Sequence, residues 1–212
     1  MAFTRKDLAS SVITGFYTGL IAWRILVFLK TPSFMDVSFA WLLVVVPILW
    51  ILGVNLGYFL GRWLAFFNQF GKFSAIGFTN AAVDFGVLNL LIVWSGVASG
   101  ILFTVFKSTS FILAVTHSYV WNKYWAFKSQ DNEGGDNFFE FLIVNIIAAA
   151  INVGVASFIV NGVDPILNLD QNAWANIGAV IGSAVAVVFS FVGLKLIVFR
   201  IVSKSKNDNV IS

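Results

Sequence analysis

An apolar stretch interrupted by one acidic residue decides the fold: FGKFSAIGFTNAAVDFGVLNLLI, from Phe70 to Ile92. A helix that crosses a membrane needs about 20 mostly apolar residues, and this stretch is long enough to provide them. The whole chain has the same character, because 59% of its 212 residues are hydrophobic and only 11% are charged. A soluble domain has about 25% charged residues. The sequence therefore predicts an all-α integral membrane protein.

Five segments are good candidates for membrane-spanning helices, at 37–60, 74–94, 100–121, 138–160 and 174–198. A sixth segment, 8–29, contains Ser, Thr and Gly residues together with Arg24. It suits either a spanning helix or an amphipathic helix lying in the membrane interface. We expect it to span. It does not resemble a cleaved signal peptide, because its apolar stretch is too long and no small-residue cleavage site follows it.

The Lys and Arg residues indicate the orientation, since cytoplasmic loops retain them. They lie before the first span, between the second and third, after the fourth and after the last: Arg5, Lys6, Arg62, Lys72, Lys123, Lys128, Arg200, Lys204 and Lys206. The opposite loops hold few charges, namely Lys30, Asp36, Asp164 and Asp170. Both termini are predicted to be cytoplasmic, and only the N-terminus changes side if segment 8–29 does not cross.

The chain also contains an internal repeat. Sliding it on itself places the opening stretch over FFEFLIVNIIAAAINVGVASFIV, which starts at Phe138, so that Asp84 aligns with Asn152. A second alignment, of SYVWNKYWAFK with SFVGLKLIVFR, pairs Lys123 with Lys195. Each copy holds two spans, so the repeats enter the membrane with the same orientation. The pattern predicts a duplicated parallel two-helix hairpin preceded by one or two extra helices.

The repeat also predicts the domain organisation. Residues 1–69 form an N-terminal membrane extension, 70–200 form the four-helix unit, and 201–212 form a cytoplasmic tail. Within the four-helix unit, the first repeat is 70–128 and the second is 138–200.

Several of these residues resemble one family. The residues are the intramembrane Asp84, the KSTSF run from Lys107, the YVWNKYWAF ending of the first repeat and the SFVGLKLIVF ending of the second. They are similar to the GtrA-like family of small bacterial and archaeal membrane proteins, over about 70–200. The resemblance implies a flippase that moves a polyprenyl-phosphate-linked sugar across the cytoplasmic membrane for surface glycosylation. It also implies a partner glycosyltransferase that loads the lipid. His117 departs from the family pattern, which leads us to expect an amide there.

Two charged residues inside the predicted helices need a physical reason. A charge at the bilayer centre costs at least ~2.5–3.5 kcal/mol. Asp84 and Lys107 lie at similar depths in consecutive helices, so we expect them to pair near the midplane. The pair is either a clamp between helices or a site at which Lys107 attracts a lipid phosphate that Asp84 helps to release.

Other polar residues complete the predicted substrate-binding set. Asn80, Asn145 and Asn152 serve either as hydrogen-bond links between helices or as partners of sugar hydroxyls. Thr109, Ser110, Thr116, His117 and Ser118 continue a polar seam toward the cytoplasmic mouth, although a packed histidine with a backbone partner accounts better for His117.

At that mouth lie Asn122, Lys123 and Trp125. Lys123 suits a snorkelling anchor or a cation for a phosphate, and Trp125 suits stacking on a sugar. The same region predicts an interfacial aromatic belt of Trp121, Tyr124, Trp125 and Phe127.

The sequence gives no indication of an enzyme. It contains no phosphate-binding loop, no paired carboxylates and no catalytic triad in a soluble pocket, so transport is predicted to be passive or gradient-coupled. Without Cys and with a single His, no metal or other cofactor is expected. The acidic DNEGGD loop argues against nucleic acid.

Two alternative functions remain. One is a scaffold that recruits a glycosyltransferase through residues 128–137 and the C-terminal tail. The other, ranked third, is a small multidrug transporter. A homo-oligomer is expected, since the subunit is small for enclosing a lipid headgroup.

Overall fold

A computed structural model describes residues 3–32, 37–126, 135–166 and 168–208, with the side chains of 135–145 and 190–208 left undescribed. The described residues form six long helices: α1 (Arg5–Phe28), α2 (Leu42–Leu60), α3 (Phe67–Ser95), α4 (Gly100–Trp121), α5 (Gly135–Gly162) and α6 (Gln171–Asp208). A short 3-10 turn, Phe39–Trp41, precedes α2. A π-helical turn, Asn122–Ala126, continues α4.

The helices confirm the predicted all-α membrane protein. Within the part of the chain that the structure describes, five helical segments are long and apolar enough to cross a membrane: Arg5–Phe28, Phe39–Leu60, Phe67–Ser95, Gly100–Ala126 and Gln171–Phe189. In α5 the described apolar part is the shorter Ile146–Gly162, so much of the predicted span 138–160 lies outside the described side chains. The N-terminal addition consists of two helices, α1 and α2. The protein is therefore a multi-pass membrane protein with extra N-terminal helices.

The chain folds into two compact units. Unit 1 comprises Met1–Val97 and Thr109–Gln130, and unit 2 comprises Ala98–Ser108 and Asp131–Ser212. In unit 1, α1, α2 and α3 pack against one another, and the π turn packs on α3. In unit 2, α5 packs along α6. The division into an extension and a duplicated four-helix unit stays a prediction, because packing groups helices by contact and not by sequence repeat.

Helix α1 has its polar face buried and its apolar face exposed. The buried residues are small or polar: Asp7, Ser10, Ser11, Thr14, Gly15, Thr18 and Gly19. The exposed ones include Leu8, Val12, Ile13, Phe16 and Leu20. An amphipathic helix in the interface would turn its polar face to water. Hydrocarbon favours the opposite arrangement, which is the one that α1 adopts, so the structure supports the predicted spanning helix.

The start of α1 lies at the same end of unit 1 as the start of α3 and the π turn. Lys72 Nζ lies 2.7 Å from Asp7 Oδ1, and the Lys6 ammonium donates a hydrogen bond to the Tyr124 carbonyl. The Lys and Arg distribution predicted that these segments share one side of the membrane, and their position at one end of unit 1 is compatible with that prediction. That this side is cytoplasmic stays a prediction.

Close packing of α1 on α2 depends on two glycines. A Cβ atom on Gly15 would lie 2.5 Å from Pro47 Cα, and one on Gly19 would lie 2.2 Å from the Leu42 carbonyl oxygen. Real Cβ atoms do not approach other atoms so closely. Small residues at such crossings let helix backbones come together where lipid provides no hydrophobic driving force.

We expect Gly19→Leu to lower the free energy of unfolding by about 1–3 kcal/mol, because the new side chain forces α1 and α2 apart. Titration of the detergent-solubilised protein with dodecyl sulfate, followed by circular dichroism, measures this. Gly77→Leu is the matched control, since a Cβ atom on Gly77 meets nothing within 4 Å. Equal unfolding midpoints for the two variants would contradict the prediction.

Unit 2 follows the same packing rule. A Cβ atom on Gly182 would lie 2.4 Å from the Asn152 carbonyl oxygen, so α6 approaches α5 closely there. Trp174 Nε1 donates to the carbonyl oxygens of Ile159, at 3.3 Å, and Val163, at 3.0 Å. These indole hydrogen bonds fix the start of α6 against the end of α5.

Candidate functional site

Asp84 is buried inside unit 1, with 4% of its surface exposed. The Ser110 hydroxyl on α4 donates to Asp84 Oδ1 at 2.6 Å. A hydroxyl partner stabilises a carboxylate that the apolar surroundings would otherwise disfavour. Sequence reasoning placed Ser110 only in a general polar seam, whereas the structure identifies it as a partner of Asp84.

Lys107 is also fully buried, with 0% exposed. Its predicted ion pair with Asp84 stays a prediction. Burial of both residues is what the pair requires, since a membrane protein keeps charged side chains inside its helix bundle.

Buried and half-buried polar residues lie along one face of α4 and its π turn, from Lys107 to the end of the turn. Lys107, Ser110, Ala114 and Trp125 are buried. Successive members are three, four and eleven residues apart, and these spacings correspond to about one, one and three helical turns, so the four residues share one face. His117, Ser118, Trp121 and Asn122 on the same side are half-buried. Thr109 and Thr116 are exposed, so the predicted polar seam was wrong for these two threonines.

Several buried polar atoms of unit 1 have no hydrogen-bond partner among the described residues: Ser11 Oγ, Asn80 Oδ1, His117 Nδ1 and Asn122 Oδ1. Leaving such an atom unsatisfied costs about 1–3 kcal/mol. Native structures contain few of them, and each one calls for an explanation. A polar ligand that enters unit 1 would find these acceptors available.

The predicted amides take different roles. The Asn122 side-chain amide donates to the Ser118 carbonyl at 2.9 Å and to Ser118 Oγ at 3.2 Å. The amide of Asn152, in unit 2, donates to Ser183 Oγ at 3.0 Å and so links α5 to α6. Asn145 lies outside the described side chains, as does Lys195.

Lys123 is exposed beside two aromatic rings, with Nζ 5.8 Å from the ring centre of Tyr119 and 5.7 Å from that of Tyr124. Exposed cations and aromatic rings suit the level of the lipid headgroups. The exposed position of Tyr124 is therefore compatible with the predicted aromatic belt. Phe127 lies outside the described residues.

Trp125 corrects the belt prediction. Its side chain is buried, with 3% exposed, and its indole nitrogen donates to Asp7 Oδ1 at 3.0 Å. The ring packs edge-on to Trp121, with centres 5.9 Å apart. A ring buried to this degree has no free face for a sugar. The hydrogen bond to Asp7 on α1 holds the indole in the interior. The local sequence around Trp125 does not indicate this partner.

Asp7 is the centre of a buried cluster that sequence reasoning missed. We call Asp7, Tyr58, Lys72 and Trp125 the Asp7 cluster. Asp7 contacts Lys72 and Trp125 as described above, and its Oδ2 atom also accepts a hydrogen bond from the Tyr58 hydroxyl at 3.0 Å. Asp7 also forms a capping box with Thr4 at the start of α1. The Thr4–Asp7 spacing could have indicated the cap, but nothing local indicates the other partners.

His117 also differs from the expected arrangement. Its Nε2 atom lies 2.5 Å from the Tyr17 hydroxyl on α1, so its partner is a side chain and not a backbone group. The two rings meet edge to face, with centres 5.7 Å apart. Together with Asp7, this contact joins the N-terminal helix to the end of α4.

Within the ranges that the structure describes, no three His, Cys, Asp or Glu side chains are grouped so as to hold a metal ion. Within unit 1, the candidate site consists of the buried Asp84 carboxylate with its Ser110 partner, and of further hydroxyl and amide groups. Such polar groups can bind a polar ligand inside a membrane.

Known protein families include one that this chain matches. Residues 72–199 match the model of the family described as GtrA/DPMS, transmembrane domain. The chain is 32% identical over 81 residues to the uncharacterized membrane protein YngA of Bacillus subtilis (strain 168), an alignment that covers 38% of this chain. The chain spans about half, 51%, of the length of that relative. No solved structure matches the chain significantly.

The family match covers more than half of the chain and includes the buried Asp84, Lys107 and the whole of α4. This protein therefore belongs to the GtrA/DPMS transmembrane domain family.

Proposed function

We propose that this protein is a flippase that moves a polyprenyl-phosphate-linked sugar across the membrane and performs no covalent chemistry. Membership of the GtrA/DPMS family is the observation that carries the proposal. The buried polar groups of unit 1 support it, because a sugar phosphate needs polar partners wherever it leaves water.

Each part of the headgroup has a chemically suitable partner. Sugar hydroxyls are hydrogen-bond donors, and the unpartnered Oδ1 atoms of Asn80 and Asn122 are acceptors. The phosphate is an anion, and the sequence assigned it to Lys107, whose side chain is buried. The Asp84 carboxylate opposes tight binding of that anion. A carrier has to release its substrate, so a site that binds the phosphate only moderately is suitable for transport.

Transport is tested with purified protein in vesicles that contain a fluorescent polyprenyl-phosphate sugar. A membrane-impermeant quencher reports the fraction of lipid in the outer leaflet. We expect protein to make the inner-leaflet lipid accessible, whereas protein-free vesicles keep it protected. No increase over protein-free vesicles would overturn the proposal.

In the same assay, Asn80→Leu is expected to slow flipping about 2- to 12-fold, because losing one hydrogen bond to the headgroup raises the barrier by about 0.5–1.5 kcal/mol. Asn55→Leu is the matched control. Asn55 is an exposed amide on α2 that donates to the Ile51 carbonyl in its own helix. Equal rates for the two variants would remove Asn80 from the transport path.

A scaffold for a membrane glycosyltransferase is the competing outcome. It would be indicated if vesicles show no flipping while a transferase co-purifies and loses activity when residues 128–137 are replaced. Most of that segment lies outside the described residues, so the proposed docking surface stays a prediction from the sequence.

A further inference from the structure

An apolar groove of about 240 Å³ runs between α2 and α3 in unit 1. Four aromatic side chains form much of its wall: Trp50, Phe67, Phe70 and Phe78. Three glycines contribute to its floor: Gly53, Gly57 and Gly71. Ser74 is the single hydroxyl residue in the lining, so the groove offers almost nothing for a polar ligand.

The glycines explain why a groove exists here. A Cβ atom on Gly57 would lie 2.8 Å from the Phe67 carbonyl oxygen, and one on Gly71 would lie 3.1 Å from the Gly53 carbonyl oxygen. The two backbones therefore meet directly, and the aromatic side chains stand beside the crossing. At Gly53 itself, a Cβ atom would meet nothing within 4 Å. The space above Gly53 is open.

Contacts within unit 1 hold the aromatic wall in place. Trp50 Nε1 donates to Thr79 Oγ1 at 3.0 Å, and the Trp50 and Phe78 ring centres are 6.1 Å apart. At the other end of the groove, the rings of Phe67 and Phe70 meet edge to face, with centres 6.0 Å apart. A wall that is already ordered binds its ligand with a smaller entropy loss.

The surroundings of the groove restrict its occupant to a lipid chain. Leu49 and Leu56 on its rim are exposed in helices that cross the membrane, so hydrocarbon reaches the groove. Its volume is below the roughly 300–1,000 Å³ of pockets that enclose a whole small molecule. A segment of a single chain is therefore the ligand that matches its size and polarity.

A cation at one end of the groove indicates the headgroup. The lining ends at Leu60 and Phe67, and the exposed Arg62 follows two residues after Leu60. Its guanidinium carbon lies 5.5 Å from the centre of the Phe59 ring. Phe59 itself is outside the lining, but Arg62 follows the end of the groove closely in the chain, and a cation near that end favours an anionic headgroup.

We propose that the groove between α2 and α3 binds the phosphate-proximal isoprene units of the polyprenyl phosphate, with the phosphate at Arg62. A polyprenyl phosphate has one chain and one phosphate, which matches a groove for a single chain with one cation at its end. A phospholipid has two chains, and a groove of about 240 Å³ would leave the second one in the surrounding bilayer. The identity of the lipid rests on the proposed function, whereas the binding of a single-chain anionic lipid does not.

The test uses the full chain in phosphatidylcholine vesicles with a polyprenyl phosphate that carries a diazirine in its phosphate-proximal isoprene unit. After illumination, mass spectrometry locates the labelled residues. We expect labels on the groove-lining residues of α2 and α3. Gly53→Leu should reduce labelling about tenfold, since filling the groove removes burial of roughly two methylene groups. Gly77→Leu, an equally open helix glycine outside the lining, should leave it unchanged.

Arg62→Gln and competition distinguish the sources of the ligand. Arg62→Gln should weaken labelling by the phosphate lipid, but not by the uncharged polyprenol with the same diazirine. Unlabelled polyprenyl phosphate should displace the probe, and an equal excess of phosphatidylglycerol should not. Displacement by both to the same extent would identify a general phospholipid groove and overturn the proposal.

The experiments can overturn the groove proposal and the flippase proposal independently of each other. Labels outside the groove lining, or labelling insensitive to Gly53→Leu, would overturn the groove even if vesicle transport is normal. The expected labelling pattern without transport would retain the groove and overturn the flippase.

Discussion

Replacing Asp7 by Asn is expected to lower the free energy of unfolding by about 3–5 kcal/mol, because it leaves the Lys72 ammonium without its carboxylate. Asp7 is 2% exposed and Lys72 Nζ lies 2.7 Å from it. Removing one partner of such a pair leaves an uncompensated charge in apolar surroundings. The unfolding midpoint in mixed detergent and dodecyl sulfate, followed by circular dichroism, measures the loss.

The double variant Asp7→Asn with Lys72→Met is expected to recover most of this stability. Removing both charges of a buried pair is often nearly neutral, and Asn still offers an oxygen to Tyr58 and Trp125. Asp164→Asn, in the loop between α5 and α6, is the control and should change little because Asp164 is exposed. Additive losses from the two Asp7-cluster substitutions would show that the ion pair does not couple α1 to α3.

Asp84→Asn is expected to cause a loss of similar size, about 3–5 kcal/mol, if its charge balances the buried ammonium of Lys107. Adding Lys107→Met should then restore stability. Ser110→Ala is the matched control within the same site. It removes the donor 2.6 Å from Asp84 and should cost only about 0.5–1.5 kcal/mol. Additive losses for Asp84 and Lys107 would contradict the predicted pair.

The same double variant separates a clamp from a transport site. Under the flippase proposal, the protein lacking both charges folds but flips the sugar lipid slowly, because the cation for the lipid phosphate is gone. Full stability together with full transport would reduce the pair to a clamp between helices. The vesicle assay with the fluorescent sugar lipid gives the transport rate for both cases.

Much of the fold follows from the sequence because the membrane acts on each segment separately. A helix has to be long and apolar enough for the hydrocarbon, and the stretch Phe70–Ile92 shows both properties. A charge within such a stretch has to face the inside of the bundle. That requirement predicted burial of Asp84 and Lys107, which the structure confirms. The ending YVWNKYWAF indicated the family because the motif is also confined to one short stretch of the chain.

Chain-local patterns could not distinguish residues that look alike but pack differently. Trp125 and Tyr124 are both aromatic residues at a helix end, yet Trp125 is buried and Tyr124 is exposed. Gly53 and Gly57 lie on one helix, but only at Gly53 does a Cβ atom have open space. These differences depend on what another helix places opposite each residue.

The sequence by itself determined the membrane class, the helices and the family, because these depend on composition and spacing within single segments. Only the tertiary structure decided the Asp7 cluster, which joins side chains of α1, α2, α3 and the π turn. The physical reason is that ion pairs and hydrogen bonds weaken steeply with the distance between the groups. That distance is set by packing between segments far apart in the chain.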